Sequence, residues 1–214
     1  KIPLPGADLE GVLVNIQFLR DVSLGNKVKV GKRVVVIGGG NVAFDCARTS
    51  RRLGAEEVHL ACLEPGNGML ATPDEIEEGQ EEGIIIHPSH TFLKITGDNG
   101  HVTGVECQDI RSFKFEEGKL ILDIIEGSEH VLPADTVIFA IGQVPELDFI
   151  EGVSDIQTAR RRVVVDSDSL ATSKDGVFAA GDIVTGTTSV IEGIAAGRRV
   201  ATSIDKYLGG RGCY

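Results

Sequence analysis

Hydrophobic positions along this chain fall first into short runs and helical repeats, then into strict alternation. Val34–Ile37 is a short unbroken apolar run rich in β-branched residues, the pattern of a strand buried on both faces. A helical pattern follows, with Val42, Cys46, Thr49 and Leu53 on one face, and then a second strand, Glu57–Leu63. Upstream, Lys1–Gly6 reads as an extended, proline-bearing linker or peripheral loop. From Asp8 the pattern is helical, with Leu13, Ile16, Phe18 and Leu19 apolar and an end near Gly25. Downstream, Glu64–Ala71 is a loop, and Thr72-Pro73-Asp74-Glu75 opens a helix with Thr72 as N-cap and Glu75 closing a capping box. The acidic run Glu75–Glu82 is the solvated face of that helix, Ile76 its inward anchor and Gly83 its end. Ile84–Ile86 is a third buried strand.

From Thr91 the period changes to two. Thr91–Thr96, a Gly97–Gly100 turn, His101–Ile110 and Lys119–Ile125 read as an antiparallel meander. Thr136–Ile141 is another buried strand, ending in Gly142 and placed beside the first. The last third holds two short strands, Arg162–Asp166 and Gly176–Ala180. Ser189 and Glu192 then form a capping box that opens a helix to about Leu208, with small residues (Gly193, Ala195, Ala196, Gly197) at close-packing positions. The expected fold class is α/β, a Rossmann-like parallel sheet with an antiparallel β-meander.

Between the first strand and its helix, Gly38, Gly40 and Ala43 occupy the small-residue positions of a G-x-G-x-x-G/A dinucleotide fingerprint. Gly38 permits the turn out of the strand, Gly40 lets a pyrophosphate approach the backbone, and Ala43 lets the helix pack close to the sheet. Gly39, Asn41 and Val42 complete the loop and helix start, whose free N–H groups and positive dipole end suit phosphate. Glu64 ends the second strand about twenty residues later, where the fingerprint places a ribose-binding acid. The strand end Ala140, Ile141 and Gly142 is counted with the cofactor-binding positions.

Composition narrows the picture. A formal net charge of −11 over 214 residues argues against a nucleic-acid surface, and no apolar run approaches the roughly 18–20 residues of a membrane span. Cys46, Cys62, Cys107 and Cys213 are scattered, which excludes a dithiol motif and an iron–sulfur or zinc framework built from this chain alone; a cytoplasmic location is expected. His59, His87, His90, His101 and His130 show no ligand spacing, so no metal is expected. Cys46 and Cys62 are expected to be buried thiols.

Five motifs in order resemble the pyridine nucleotide-disulfide oxidoreductase superfamily. They are Val34–Arg48 (V-V-I-G-G-G-N-V-A-x-D-x-A-R), Met69–Gly83 (M-x-A…E-I-E-E…E-E-G), Val137–Gln143 (V-I-F-A-I-G-Q), Gly176–Asp182 (G-V-F-A-A-G-D) and Val190–Leu208 (V-I-E-x-I-A-A-G-R). Within that superfamily they resemble the glutamate synthase small (beta) subunit and its NAD(P)H-dependent flavoprotein relatives. The resemblance implies an FAD domain interrupted by an NAD(P) domain. It divides the chain into 1–30, an FAD-domain remnant and linker helix; 31–145, the NAD(P)-binding Rossmann-like domain; and 146–214, the C-terminal part of the FAD-binding domain. It implies that Gly181 and Asp182 meet the ribityl–phosphate portion of FAD, with Thr188, Ser189 and Val190 near the isoalloxazine ring.

Two departures shape the functional expectation. The family's N-terminal FAD fingerprint and upstream cluster cysteines are absent, and the chain begins at Lys1, so a fragment of a longer flavoprotein is expected. NADPH-using relatives carry paired arginines at the end of the second strand, where this chain has Leu63-Glu64; NAD(H) is therefore expected over NADP(H). The leading reading is an oxidoreductase module passing hydride from NAD(P)H to FAD and onward to an iron–sulfur domain or redox partner subunit outside this chain. The alternative is a non-catalytic dinucleotide-binding module or an inert fragment lacking FAD. No catalytic side chain, nucleic acid or membrane is expected, and unpaired strand edges of the FAD-domain pieces would allow a homodimer.

Overall fold

A computed structural model describes residues 4–116, 119–150 and 155–212; Lys1–Pro3 of the N-terminal linker and Cys213 lie outside them. The chain forms two compact units, Lys1–Ile141 and Gly142–Tyr214. Among the described residues, no helix is long and apolar enough to cross a membrane.

The first unit is built on a five-stranded parallel sheet of β1 (Val12–Val14), β2 (Arg33–Ile37), β3 (Glu57–Ala61), β4 (Ile85–His87) and β9 (Thr136–Phe139), in the order β1-β9-β2-β3-β4. Central β2 pairs with β3 on one side and β9 on the other, as its uninterrupted apolar run requires. Its alternate side chains build two cores. Val34 and Val36 join Phe18, Phe44, Leu60 and Ile138 on the helical side. Val35 and Ile37 join Ala61, Val105, Cys107, Val137 and Phe139 on the other. Phe44, Leu60 and Ile138 are fully buried, and each contributes about 1.5–3 kcal/mol by that burial.

Helices α1 (Asn15–Ser23), α2 (Asn41–Arg52) and α3 (Pro73–Glu81) follow β1, β2 and β3 in sequence. The chain reaches α1 by a route the helical reading from Asp8 missed: residues 4–9 form turns, and Val12–Val14 is a parallel strand on β9. Three β-branched or apolar residues directly ahead of a helix blend into its periodicity. Residues expected to be a loose linker are tied down, because Ile95 N–H donates to Pro5 O at 2.8 Å and Leu4 and Leu9 pack on the second core. The buried face of α2 also differs from expectation. It is Ala43, Phe44, Cys46, Ala47 and Ser50, while Leu53 is exposed. The sheet selects small residues plus one aromatic rather than the widest apolar stripe.

The opposite face of the sheet is covered by the meander β5 (His90–Asp98), β6 (His101–Glu116), β7 (Lys119–Ile124) and β8 (His130–Pro133). Asn99 and Gly100, both at positive φ, make the two-residue turn between β5 and β6, as an Asn-Gly pair favours. Strand β8, which pairs antiparallel with β6, was not foreseen; four residues ending in Pro133 carry too little alternation to read.

In the second unit, β10 (Thr158–Ala159) pairs with β11 (Arg162–Val163), so the expected strand Arg162–Asp166 is shorter. Gly176–Ala180 makes a single bridge, Ala171 to Phe178, rather than a strand, because among the described residues it gains no continuous ladder partner. Helix α4 (Asp182–Thr185) precedes α5 (Val190–Tyr207), which opens with the expected Ser189–Glu192 capping box. No residue of α5 is buried, and Gly193 and Gly197 face open space, so its small residues do not serve close packing here.

Candidate functional site

The three glycines after β2 are there for three different reasons. Gly38 sits at φ 145°, and a Cβ there would collide with the Ala140 carbonyl; its N–H donates to Ala61 O at 2.9 Å, while Ala140 N–H donates to Ile37 O at 2.8 Å. A Cβ on Gly39 would lie 2.7 Å from the Glu64 carboxylate and 3.0 Å from the Cys62 Cβ. Around Gly40 a Cβ would meet nothing within 4 Å. Gly40 has φ −97°, which any residue adopts, and it caps α2 without a side chain. Gly40 therefore leaves open space at the N-terminus of α2, the positive end of the helix dipole.

This turn lies between β2 and β9, where the strand order reverses. A chain that goes from β2 through α2 to β3 on one side, with β9 on the other, has a topological switch point at the strand carboxyl ends, the place where open α/β sheets form their ligand crevice. Ala140 is buried and Ile141 exposed at that edge. Ala43 is fully buried, which lets α2 sit close to the sheet.

β3 ends at Ala61, short of the expected Leu63, and Glu64 stands three residues beyond it, beside the turn. The following loop is pinned over the glycines: Ala71 N–H donates to Gly39 O at 2.9 Å, and Thr72 N–H donates to the Asn41 Oδ1 at 2.9 Å. Ser89 N–H holds the Glu64 carbonyl at 2.9 Å. Thr72 is the N-cap of α3, but its side chain makes no cap bond. The expected capping box does not form because Glu75 instead joins Arg48 at 3.1 Å.

The arginines of α2 are engaged elsewhere: Arg48 and Arg52 pair with glutamates of α3 and its C-terminal end. Arg48 also meets Glu78 and Glu82, each at 2.7 Å, and Arg52 meets Glu82 at 2.6 Å. Arg51 donates to the carbonyls of Ala55, Glu56 and Glu82. The Arg52 and Arg48 guanidiniums hold the Glu82 carboxyl below the usual carboxylate range. A cation does stand nearby on the meander: Arg111 lines a cavity of about 150 Å³ together with Leu63, Pro65 and Ser89, its guanidinium 3.1 Å from Asp123.

The three described cysteines are buried, and burial pushes each of the Cys46, Cys62 and Cys107 thiols up to about 12. They are inert core groups, not nucleophiles.

Four of the five histidines gather at one edge of the sheets. His59 Nδ1 lies 2.7 Å from His87 Nε2, and the rings of His87, His90 and His130 stack edge to face in sequence. Burial, and then the neighbouring imidazoles of His59, His90 and His130, push His87 down to about 4. The reading that the histidines show no ligand spacing missed this convergence. The available signal was His87-Pro-Ser-His90, a pair with three-residue spacing; the other members arrive only through strand register.

In the second unit, Gly181 at φ 77° turns the chain so that Asp182 opens α4. The Asp182 carboxylate is exposed, with the Thr188 hydroxyl 3.5 Å away. Ser189 N–H donates to the Glu192 carboxylate at 2.8 Å, and Val190 and Ile191 are 80% and 78% exposed. Gly142 begins this unit and is exposed.

Comparison with known proteins matches residues 1–199 to the family described as pyridine nucleotide-disulphide oxidoreductase. The β subunit of NADP(+)-dependent formate dehydrogenase from Moorella thermoacetica is 39% identical over 200 residues, which cover 92% of this chain and 28% of that protein. The small chain of glutamate synthase [NADPH] from Escherichia coli is 37% identical over 186 residues, 83% of this chain and 39% of that protein. Both shares lie well under two thirds of the relative's own length. The thioredoxin reductase structure from T. acidophilum superposes with a TM-score of 0.74 at 24% identity, covering 98% of this chain and 62% of that one; it shows the shared fold. The glycine turn, the strand-end switch point and the match along 199 residues agree, and the chain belongs to the pyridine nucleotide-disulphide oxidoreductase family.

Proposed function

We propose that this chain supplies the nicotinamide-dinucleotide site, and part of the flavin site, of an NAD(P)H-dependent flavin oxidoreductase that delivers electrons to a partner subunit or iron–sulfur domain. The observation that carries the reading is Gly40. Gly38 and Gly39 are glycines because neighbouring protein atoms exclude a Cβ, whereas Gly40 faces open space at a helix N-terminus with an unstrained φ. A missing side chain with no internal reason fits a phosphate that must reach the backbone.

A bound nicotinamide supplies the hydride and a flavin accepts it, so the protein's part is binding and orientation. Gly39 to Ala43 would hold the pyrophosphate, and Glu64 would accept hydrogen bonds from the adenosine ribose hydroxyls. Ala140, Ile141 and Gly142 would flank the crevice. Asp182 and the helix start Thr188–Val190 would face the flavin. The relatives are named for NADP(+) and NADPH. In this chain a carboxylate, Glu64, stands shortly after β3, and Arg48 and Arg52 are held in ion pairs with Glu75, Glu78 and Glu82, so we read NAD(H) as preferred. The domain division at residues 30 and 145 belongs to the same proposal.

Nicotinamide fluorescence on titrating NADH into wild type and Gly40→Ala tests it. A variant that melts at the same temperature yet binds NADH at least tenfold more weakly supports the proposal. Equal affinity would remove Gly40 from the site. The exposed Val190 and Ile191 on α5 favour a second reading in which the chain alone binds nicotinamide without retaining flavin; visible absorbance of the purified chain separates the two.

A further inference from the structure

His90, Asp109 and His130 come from three strands of the meander. The register sets His90 opposite Asp109 and Cys107 opposite His130. Cys107 and Asp109 are two residues apart, so all three polar groups lie on one face. It is the face that carries Val105 and Cys107 into the core against the parallel sheet. The histidines therefore mark the rim where that apolar layer gives way, with His59 and His87 of β3 and β4 beside them.

The hydrogen bonds decide where the protons sit. His90 Nδ1 lies 2.7 Å from Pro88 O, and His130 Nδ1 lies 2.8 Å from Ser128 O. A carbonyl only accepts, so each Nδ1 carries the proton, and in the neutral ring each Nε2 presents a lone pair. His90 Nε2 then lies 3.3 Å from Asp109 Oδ1, a separation that either a shared proton or a metal cation bridges. One ligand atom from each of His90, Asp109 and His130 lies within 4.8 Å of the others. Imidazoles that donate Nδ1–H to carbonyls, one of them with its Nε2 beside a carboxylate, have the outer-shell arrangement of metal ligands.

We propose that His90, Asp109 and His130 bind a divalent first-row transition cation, with Zn(II) the natural occupant. Two imidazoles and one carboxylate suit Zn(II), Co(II) or Ni(II) better than Mg(II) or Ca(II), which prefer all-oxygen shells. Bonds of about 2.0–2.2 Å require the three side chains to draw together by roughly an ångström, which half-buried rotamers allow. The fourth position is left to water, since Cys107 is fully buried in the core. The cation would tie the starts of β5 and β8 to the middle of β6, independently of dinucleotide binding.

The test uses untagged chain stripped with chelator and titrated with Co(II), then competed with Zn(II). The expected result is a four-coordinate Co(II) visible spectrum saturating at one equivalent, its loss on Zn(II) addition, and a higher melting temperature with Zn(II). His90→Gln, His130→Gln and the isosteric Asp109→Asn each weaken binding at least tenfold, while His59→Gln does not. Imidazole 15N shifts on the wild-type chain read the same site without any variant: Zn(II) moves the Nε2 signals of His90 and His130. If both nitrogens of His90 are protonated and Zn(II) leaves them unchanged, a proton holds the His90–Asp109 pair and the proposal fails. Undiminished Co(II) binding in His90→Gln/His130→Gln would also overturn it.

Discussion

The Glu64 carboxylate oxygen Oε2 lies 2.7 Å from the point where a Cβ on Gly39 would project. The acid just beyond one strand and the glycine turn at the end of its neighbour thus form one surface. At that surface a negative charge sits beside the amides of the α2 start. On the proposed reading, ribose hydroxyls lie near Glu64 and phosphates near Gly40, and the carboxylate opposes a second phosphate on the ribose.

Glu64→Arg is expected to reverse the dinucleotide preference. Replacing a carboxylate by a guanidinium at the 2′ position removes a repulsion and adds a charge-assisted donor. The affinity ratio for NADPH over NADH should rise by at least tenfold, read by competition titration. An unchanged ratio would show that the ribose is held elsewhere, and Arg111 would then be the next residue to replace.

The two outer glycines should separate stability from binding. Gly38→Ala forces a side chain at φ 145° against the Ala140 carbonyl and should cost about 1–3 kcal/mol. Gly40→Ala, which meets no clash and trades one N-cap without a side-chain acceptor for another, should cost no more than about 1 kcal/mol while weakening dinucleotide binding. Denaturant midpoints of the two variants check this; equal destabilisation would contradict the open space at Gly40.

Glycines inside helices give a similar contrast. On Gly79 a Cβ would meet the Phe44 ring at 2.6 and 2.8 Å, so Gly79→Ala should lose about 1–3 kcal/mol to overpacking despite its better helix propensity. Gly197→Ala on α5 meets nothing within 4 Å and should gain about 0.5–1 kcal/mol. Thermal melts of both variants decide.

Acid should loosen the α2–α3 clamp. The Glu82 carboxyl is held below its ordinary value of 4.5 by Arg52 and Arg48. A depressed carboxyl stabilises the fold fully above the unfolded value and loses that contribution as pH falls through the folded one. The melting temperature should therefore drop below about pH 4.5, and Glu82→Gln should flatten that drop. A wild-type slope retained in Glu82→Gln would assign the acid sensitivity to other carboxylates.

What was legible in the chain followed from local pattern. The run Val34–Ile37, the glycine turn, the Asn99-Gly100 hairpin and the Ser189 box are each decided by residues within a few positions of one another. The strand Val12–Val14 was hidden because three residues set ahead of a helix have no period of their own; only pairing with β9 makes them a strand. Thr72–Glu75 has the spacing of a capping box, yet Arg48, 27 residues before Glu75, takes the carboxylate. The histidine cluster is the same lesson at longer range, since His90 and His130 meet through the register of β6.

Calorimetric titration of the purified chain with NADH, and separately with NADPH, tests the central claim most directly. The account predicts saturable NADH binding at one site per chain and weaker NADPH binding. Absence of heat with both, from a chain that melts cooperatively, would contradict the assignment of the Gly38–Ala43 turn as a dinucleotide site.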